Sequence, residues 1–249
     1  MPLATQLADL PGRDLAQDLA HDLAARPAGD LDGAPIPVRP DVAWLRTAIA
    51  NVAFLGAPDA GDGGWVLVDA GIMGSAARIA EAARRRYGDA RPAAIVLTHG
   101  HFDHVGALPT LAERWDVPIW AHRLELPYLT GKSAYPPPEP AVGGGAMARL
   151  SPLYPKGPFD FGERVRVLPE DGAVPGAPGW RWIATPGHAP GHVSLWRESD
   201  RTLIAGDAFV TTKQESALAV ATQRTELHGP PMYFTPDWDA ARESVRRLA

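Results

Sequence analysis

The stretch THGHFDHVG at residues 98–106 sets His99, His101, Asp103 and His104 within six positions. Imidazole nitrogens and carboxylate oxygens are the donors that divalent first-row cations take in the absence of thiolate, and the chain has no cysteine. A metal site here must therefore use His, Asp, Glu or water. His99 and His101 stand two apart where the apolar run AAIVL (93–97) ends. If the backbone stays extended, both rings leave the same side and share one ion. Asp103 and His104 follow where the chain turns toward a helix; they are poorly placed to join that ion and suit a second one nearby.

Two later segments offer what the first leaves unfinished. TPGHAPGH (185–192) supplies His188 and His192, and LIAGDAF (203–209) supplies Asp207. Both follow strand-like runs, where loops carry chemistry in α/β folds. A lone Gly-Asp reads as a turn. Beside five histidines, Asp207 reads instead as a carboxylate able to bridge two cations.

The elements that must position these groups begin after Pro40. IANVAFLG (49–56) and WVLVDAG (65–71) read as neighbouring strands joined by the turn PDAGDGG. Ser75 is placed to cap a helix running to Tyr87, with Ala76, Ile79, Ala80, Ala83 and Tyr87 on one face and Gly88 as its stop. A strand at 93–97 leads into the histidine motif, a helix covers about 105–115, and a strand follows at 117–121. Further strands are expected at 165–168, 180–185, 192–196 and 202–206. The end, TPDWDAARESVRRLA, reads as a helix capped by Thr235 with Pro236 at its first position and Trp238, Ala241, Val245 and Leu248 as its apolar stripe. Residues 131–160, dense in Pro and Gly, form a long loop with one short helical stretch at AMARL, and such loops commonly wall a binding site. Residues 1–35 are set apart as an N-terminal extension, with leucines 15, 19 and 23 suggesting a short amphipathic helix bounded by Pro11 and Pro27. Residues 36–249 are the folded domain.

Composition limits the alternatives. With 249 residues, 45% of them hydrophobic, the chain can bury a substantial core. Its 24 basic and 29 acidic residues leave a net charge of -5 with no basic stripe, which argues against nucleic acid as a partner. No apolar run approaches the length of a membrane span and the amino terminus has no secretion signal, so the expectation is a cytoplasmic protein with no membrane partner. Gly131-Lys132-Ser133 lacks the earlier glycine of a phosphate loop, whose place is Leu126, and no G-x-S-x-G elbow is present.

Taken together, THGHFDH, TPGHAPGH and AGDAF, in this order, resemble the metallo-β-lactamase superfamily, particularly its glyoxalase II-like hydrolases. The resemblance runs from about Ile49 onward. It implies an α/β fold of the four-layer αββα type, with the site at one edge between the sheets. It also implies His99, His101 and His188 as ligands of a first metal, Asp103 and His104 as ligands of a second, and Asp207 as the bridge. Asp69 in VLVDAG and His192 would support the site without ligating. Two divalent ions are implied, zinc first, with iron or manganese accepting the same donors. The reaction implied is hydrolysis of an ester, thioester or lactone of a small molecule, with a hydroxide held by the metals as nucleophile and Asp103 as its proton acceptor. A mononuclear iron oxygenase of the persulfide dioxygenase kind, or a catalytically weak scaffold, are the alternatives.

The pattern departs from the family in one place. A Gly-His-Gly segment usually follows the last helix and completes the second metal; here only His228 is unassigned downstream, and it lies before that helix. Either the chain lacks the last strand, which is the favoured expectation and leaves a weakly occupied second site and a sheet edge open to homo-oligomers, or a water or a group from another chain takes the missing ligand's position. Val210 also stands where quorum-signal lactonases of the superfamily carry tyrosine. The site walls are expected from residues 131–160 and 211–236, with Tyr135, Tyr154, Phe159, Met232, Tyr233 and Phe234 as the apolar lining.

Overall fold

The computed structural model describes residues 33–249. The helix expected within residues 1–30 lies outside them. Two sheets organise the fold. The larger has seven strands in sequential order: β1 (Ile36–Arg39), β2 (Val42–Thr47), β3 (Ala50–Leu55), β4 (Val66–Val68), β5 (Ala94–Val96), β6 (Ile119–Ala121) and β7 (Val165–Val167). Pairing is antiparallel through β4 and parallel from β4 to β7. The smaller sheet holds β8 (Trp180–Ala184), β9 (Val193–Arg197) and β10 (Thr202–Ile204), antiparallel, with β9 in the middle.

Parallel strands need crossovers, and helices supply them. Helix α1 (Ala76–Tyr87) links β4 to β5; α2 (Phe102–Val105) and α3 (Leu108–Trp115) link β5 to β6. The short helices α4 (Leu126–Leu129), α5 (Ala146–Leu150) and α6 (Ala217–Thr222) sit in the long connections, and α7 (Trp238–Leu248) ends the described chain.

Strand alternation assigns side chains to two cores. Phe54, Leu67, Ile95 and Ile119 face the helices and pack with Ile79, Ala83, Tyr87, Leu108 and Leu111. Their neighbours Ala53, Leu55, Val66, Val68 and Val96 face the other way and meet Trp180, Val193 and Leu195 of the smaller sheet. Burial on both faces explains why β4 and β5 read as unbroken apolar runs. On the side of the smaller sheet, α7 docks on the loop after β8: Ser244 Oγ donates to the Pro186 carbonyl (2.7 Å), and Arg247 reaches the Ala184 carbonyl (2.9 Å). The helix, sheet, sheet, helix layering is that of the expected α/β sandwich.

Three local expectations are corrected. The helix expected over 105–115 is two, because the turn at Gly106 donates its N–H to the Gly71 carbonyl (2.7 Å) instead of continuing the spiral. Ser75 precedes α1, but its hydroxyl donates backward to the Ile72 carbonyl (2.5 Å) and caps nothing. The last helix starts two residues later than expected, with Asp237 accepting from the Ala240 N–H (2.9 Å). Thr235 is released from capping for another task, described below. Strands β1 and β2 were not foreseen; proline at 37 and 40 masks their alternation.

Candidate metal centre

The chemistry-bearing residues lie at the carboxyl ends of strands, where open α/β sheets leave a crevice. Asp69 follows β4, His99 and His101 follow β5, His188 follows β8, and Asp207 follows β10. Asp69 sits at φ 60°, a left-handed conformation that short polar side chains tolerate and that turns the carboxylate toward the next strand end.

His99 Nε2 lies 3.0 Å from His101 Nδ1, which lies 2.9 Å from His188 Nε2. All three side chains are buried. A second convergence joins His99, His104 and Asp207. His99 belongs to both groups, and Asp207, a member of the second, also reaches the first, with one oxygen 3.4 Å from His188 Nε2 and the other 3.5 Å from His104 Nε2. The Asp103 carboxylate is 4.0 Å from His104 Nε2 and lines the cleft with His101, His104, His188 and Asp207. Five of the six residues expected as ligands thus fall in two donor groups drawn from three separated segments, while Asp103 lines the same cleft outside both groups.

Hydrogen-bond bookkeeping fixes which ring nitrogens face inward. The Asp69 carboxylate accepts from Thr98 N–H (2.8 Å), from Thr98 Oγ1 (2.8 Å) and from His104 Nδ1 (2.8 Å). His104 Nδ1 therefore carries a proton, and Nε2 faces the cleft 3.5 Å from an Asp207 oxygen. Because the Thr98 hydroxyl donates to Asp69, it accepts from His99 Nδ1–H (3.1 Å), and His99 Nε2 is left with a lone pair. Thr235 Oγ1 donates to the Pro231 carbonyl (2.7 Å), so it accepts from His188 Nδ1–H (3.1 Å), and His188 Nε2 points inward. Thr235 was expected to cap a helix; it orients a histidine.

His192 is arranged differently. Its Nε2 accepts the Asp207 backbone N–H (2.9 Å), so it has no lone pair left for a cation. Its Nδ1–H then donates to Thr185 Oγ1 (2.8 Å), which is 3.0 Å from Ser194 Oγ, itself a donor to the Ala205 carbonyl (2.8 Å). This buried chain pins the Asp207 loop against β9. Gly206 makes the approach possible: at φ +56° it takes a conformation costly for other residues, and a Cβ there would lie 2.7 Å from His192 Nε2.

Electrostatics set His104 apart from the other rings: without a cation it favours the protonated form, so a cation bound at its Nε2 has to displace a proton. Burial and the neighbouring imidazoles hold His99 and His101 well below the ordinary 6.5, and burial takes His188 down to about 4, so these rings stay neutral at physiological pH. His104 moves the other way: burial opposes its charge, but Asp69, Asp207 and Asp103 outweigh burial and raise it well above 6.5. Burial raises Asp103 to about 6. Asp207 is held well below the usual carboxylate range; burial works against it, but the imidazoles of His104 and His188 prevail.

The donor set fits divalent cations. Four ligands 2.0–2.1 Å from a tetrahedral zinc lie roughly 3.3 Å from one another, close to the 2.9–3.0 Å separations of the inward nitrogens. With His101 Nδ1 unprotonated, the three inward nitrogens offer their lone pairs to one cation.

The remaining expectations divide. Residues 211–236 wall the cleft through Gln214, Pro231, Tyr233 and Phe234. From residues 131–160, Tyr135 packs its ring 4.4 Å from that of His101, and Tyr154 packs on Phe102 (5.2 Å). Phe159 does not line the site; it stacks on Phe161 against the helix-side core. His228 pairs its backbone with Val210 and joins neither histidine group. Ile49, Gln214, Thr98, Thr185 and the buried Glu125 were not singled out from sequence; only Thr98 and Thr185, adjoining the motifs, were within reach of it. A larger cavity of about 550 Å³ adjoins the cleft and shares His104, Asp207, Ile49 and Gln214 with it. No helix among the described residues is long and apolar enough to cross a membrane.

Comparison with known proteins agrees with this geometry. The family model described as the metallo-β-lactamase superfamily matches residues 46–249. The chain is 49% identical over 218 residues to the probable metallo-hydrolase YflN of Bacillus subtilis (strain 168), spanning 87% of this chain and 82% of that one. It is 28% identical over 115 residues to the hydroxyacylglutathione hydrolase GloC of Haemophilus influenzae, spanning 46% of this chain and 49% of that one. Among solved structures, TTHA1623 in a di-iron-bound form aligns with a TM-score of 0.52 at 26% identity, over 82% of this chain and 83% of the other.

Proposed function

The chain belongs to the metallo-β-lactamase superfamily, and on that footing we propose that it is a metal-dependent hydrolase of small esters, thioesters or lactones, working with two divalent ions. His99, His101 and His188 would hold the first ion, Asp103 and His104 the second, and Asp207 would bridge them. The observation that carries this reading is the position of Asp207, with one oxygen toward His188 and the other toward His104. Zinc is the proposed occupant, histidine and carboxylate being among its usual ligands; iron, which accepts the same donors and is the metal of TTHA1623, is the alternative.

When bound, such ions lower the pKa of water toward neutrality and polarise a carbonyl. The protein's own groups do the rest. Asp103, on the cleft wall 4.0 Å from His104 Nε2, is placed to take a proton at its carboxylate. Tyr233 and Phe234 give the cleft an aromatic wall. The adjoining cavity of about 550 Å³ has room for a small acyl group, and the partial likeness to a hydroxyacylglutathione hydrolase supports an acylated thiol among the substrates.

The test is metal analysis together with a panel of chromogenic esters, thioesters and lactones. We expect about two equivalents of metal per chain, as a two-metal site requires, hydrolysis abolished by chelation and restored by zinc, and loss of both metal and rate in His188→Ala. Protein that stays below one equivalent after zinc loading and turns over no member of the panel would sink the reading.

A further inference from the structure

Glu125 is fully buried and makes no contact with the inward nitrogens, yet its carboxylate joins the two loops that carry them. One oxygen accepts the Gly100 N–H (2.9 Å), from the residue between His99 and His101. The other accepts the Gly191 N–H (2.7 Å), from the loop between His188 and His192. Neither N–H has a backbone partner, because both loops have left their strands. A third donor, the Tyr135 hydroxyl, makes a short hydrogen bond to the oxygen that holds Gly100, while the same hydroxyl oxygen accepts from Gly100 N–H at 3.0 Å. Tyr135 in turn lays its ring beside that of His101 (4.4 Å) and is stacked from behind by Tyr128 (4.0 Å, 12°).

Both glycines are required by this closeness. A Cβ at Gly100 would lie 2.6 Å from the Tyr135 hydroxyl, and one at Gly191 would lie 2.8 Å from Glu125 Cγ. A buried carboxylate is costly unless its oxygens are fully bonded. Here they are bonded to the two segments whose separation sets the spacing of His101 and His188.

We propose that Glu125 and Tyr135 are positioning residues that lock the 99–101 loop to the 188–192 loop and so set the geometry of the first metal site. This rests on the reading of His99, His101 and His188 as ligands. Residues that hold ligands through hydrogen bonds typically change metal affinity 10–100-fold when altered. Glu125→Gln keeps the volume but turns an NH2 toward backbone N–H donors, so one loop is released.

The experiment measures cobalt(II) affinity of the full chain by competition with a chelator and records the cobalt d–d absorption, with near-ultraviolet circular dichroism to verify folding. We expect folded Glu125→Gln to bind cobalt 10–100-fold more weakly and to show a shifted d–d spectrum, and Tyr135→Phe to weaken binding in the same direction by less. A folded Glu125→Gln that melts earlier but keeps the wild-type affinity and spectrum would make Glu125 merely structural and overturn the proposal. Should Glu125→Gln not fold, unchanged affinity and spectrum in Tyr135→Phe overturn it equally. Wild-type protein that binds no cobalt would overturn the metal reading itself, and this proposal with it.

Discussion

Replacing Asp103 by Asn separates folding from function at one atom. Burial holds the Asp103 carboxyl at about 6 in the folded protein against an ordinary 3.8. A carboxyl raised on folding binds its proton more tightly in the native state, so folding stability falls as pH climbs from 3.8 to 6 and stays lowered above that. At 1.36 kcal/mol per pH unit, linkage makes this penalty up to about 3 kcal/mol in metal-free protein at pH 7.5. Asn has the same shape and never ionises. Metal-free Asp103→Asn should therefore match wild type below pH 4 and exceed it above pH 6. At roughly 2–4 °C per kcal/mol for a domain of this size, the gain in Tm is up to about 6–12 °C. Zinc should reverse the order: the ionised carboxylate is favoured beside cations, so zinc raises the wild-type Tm by more than it raises that of the variant, and hydrolysis falls in the variant. The assay is thermal melting between pH 4 and 8, with chelator and then with zinc. Metal-free curves that coincide across the whole range would refute the argument that the folded site pays to keep Asp103 ionised.

Other outcomes follow from the hydrogen bonds. Asp69→Asn loses a charge-assisted bond to His104 and sets an amide donor against one of three donors; it should destabilise the metal-free protein by about 3 kcal/mol and lower the metal stoichiometry or affinity, as metal titration would report. Thr235→Val removes the acceptor of His188 Nδ1–H while keeping the volume; zinc affinity should fall about tenfold or more, read by chelator competition, with the fold intact by circular dichroism. Gly206→Ala forces a Cβ to within 2.7 Å of His192 Nε2 at a positive φ; a loss of roughly 1–3 kcal/mol in denaturant melts is expected, along with reduced metal retention because the Asp207 loop shifts.

Much of this protein was readable along the chain, and the reason is local. His99, His101, Asp103 and His104 lie within one strand end and one turn, and a donor cluster that dense needs no tertiary information to suggest a cation. Strands β3 to β6 and helix α1 announced themselves through apolar period and a glycine stop, because burial on both faces of a parallel sheet leaves few other residue choices. What the sequence could not supply were relations between distant segments. Glu125 looks like an ordinary charged residue in a short turn, and its place between two histidine loops exists only after β6 and β8 have packed. Thr235 has the composition of a helix cap and became a histidine's acceptor because the Pro231 carbonyl took its proton. His192 is a histidine like the others until the Asp207 N–H occupies its lone pair. Residue types set what each side chain is able to donate or accept; the packing of the two sheets decided which partner each one met, since hydrogen bonds depend on distances that a linear order does not contain.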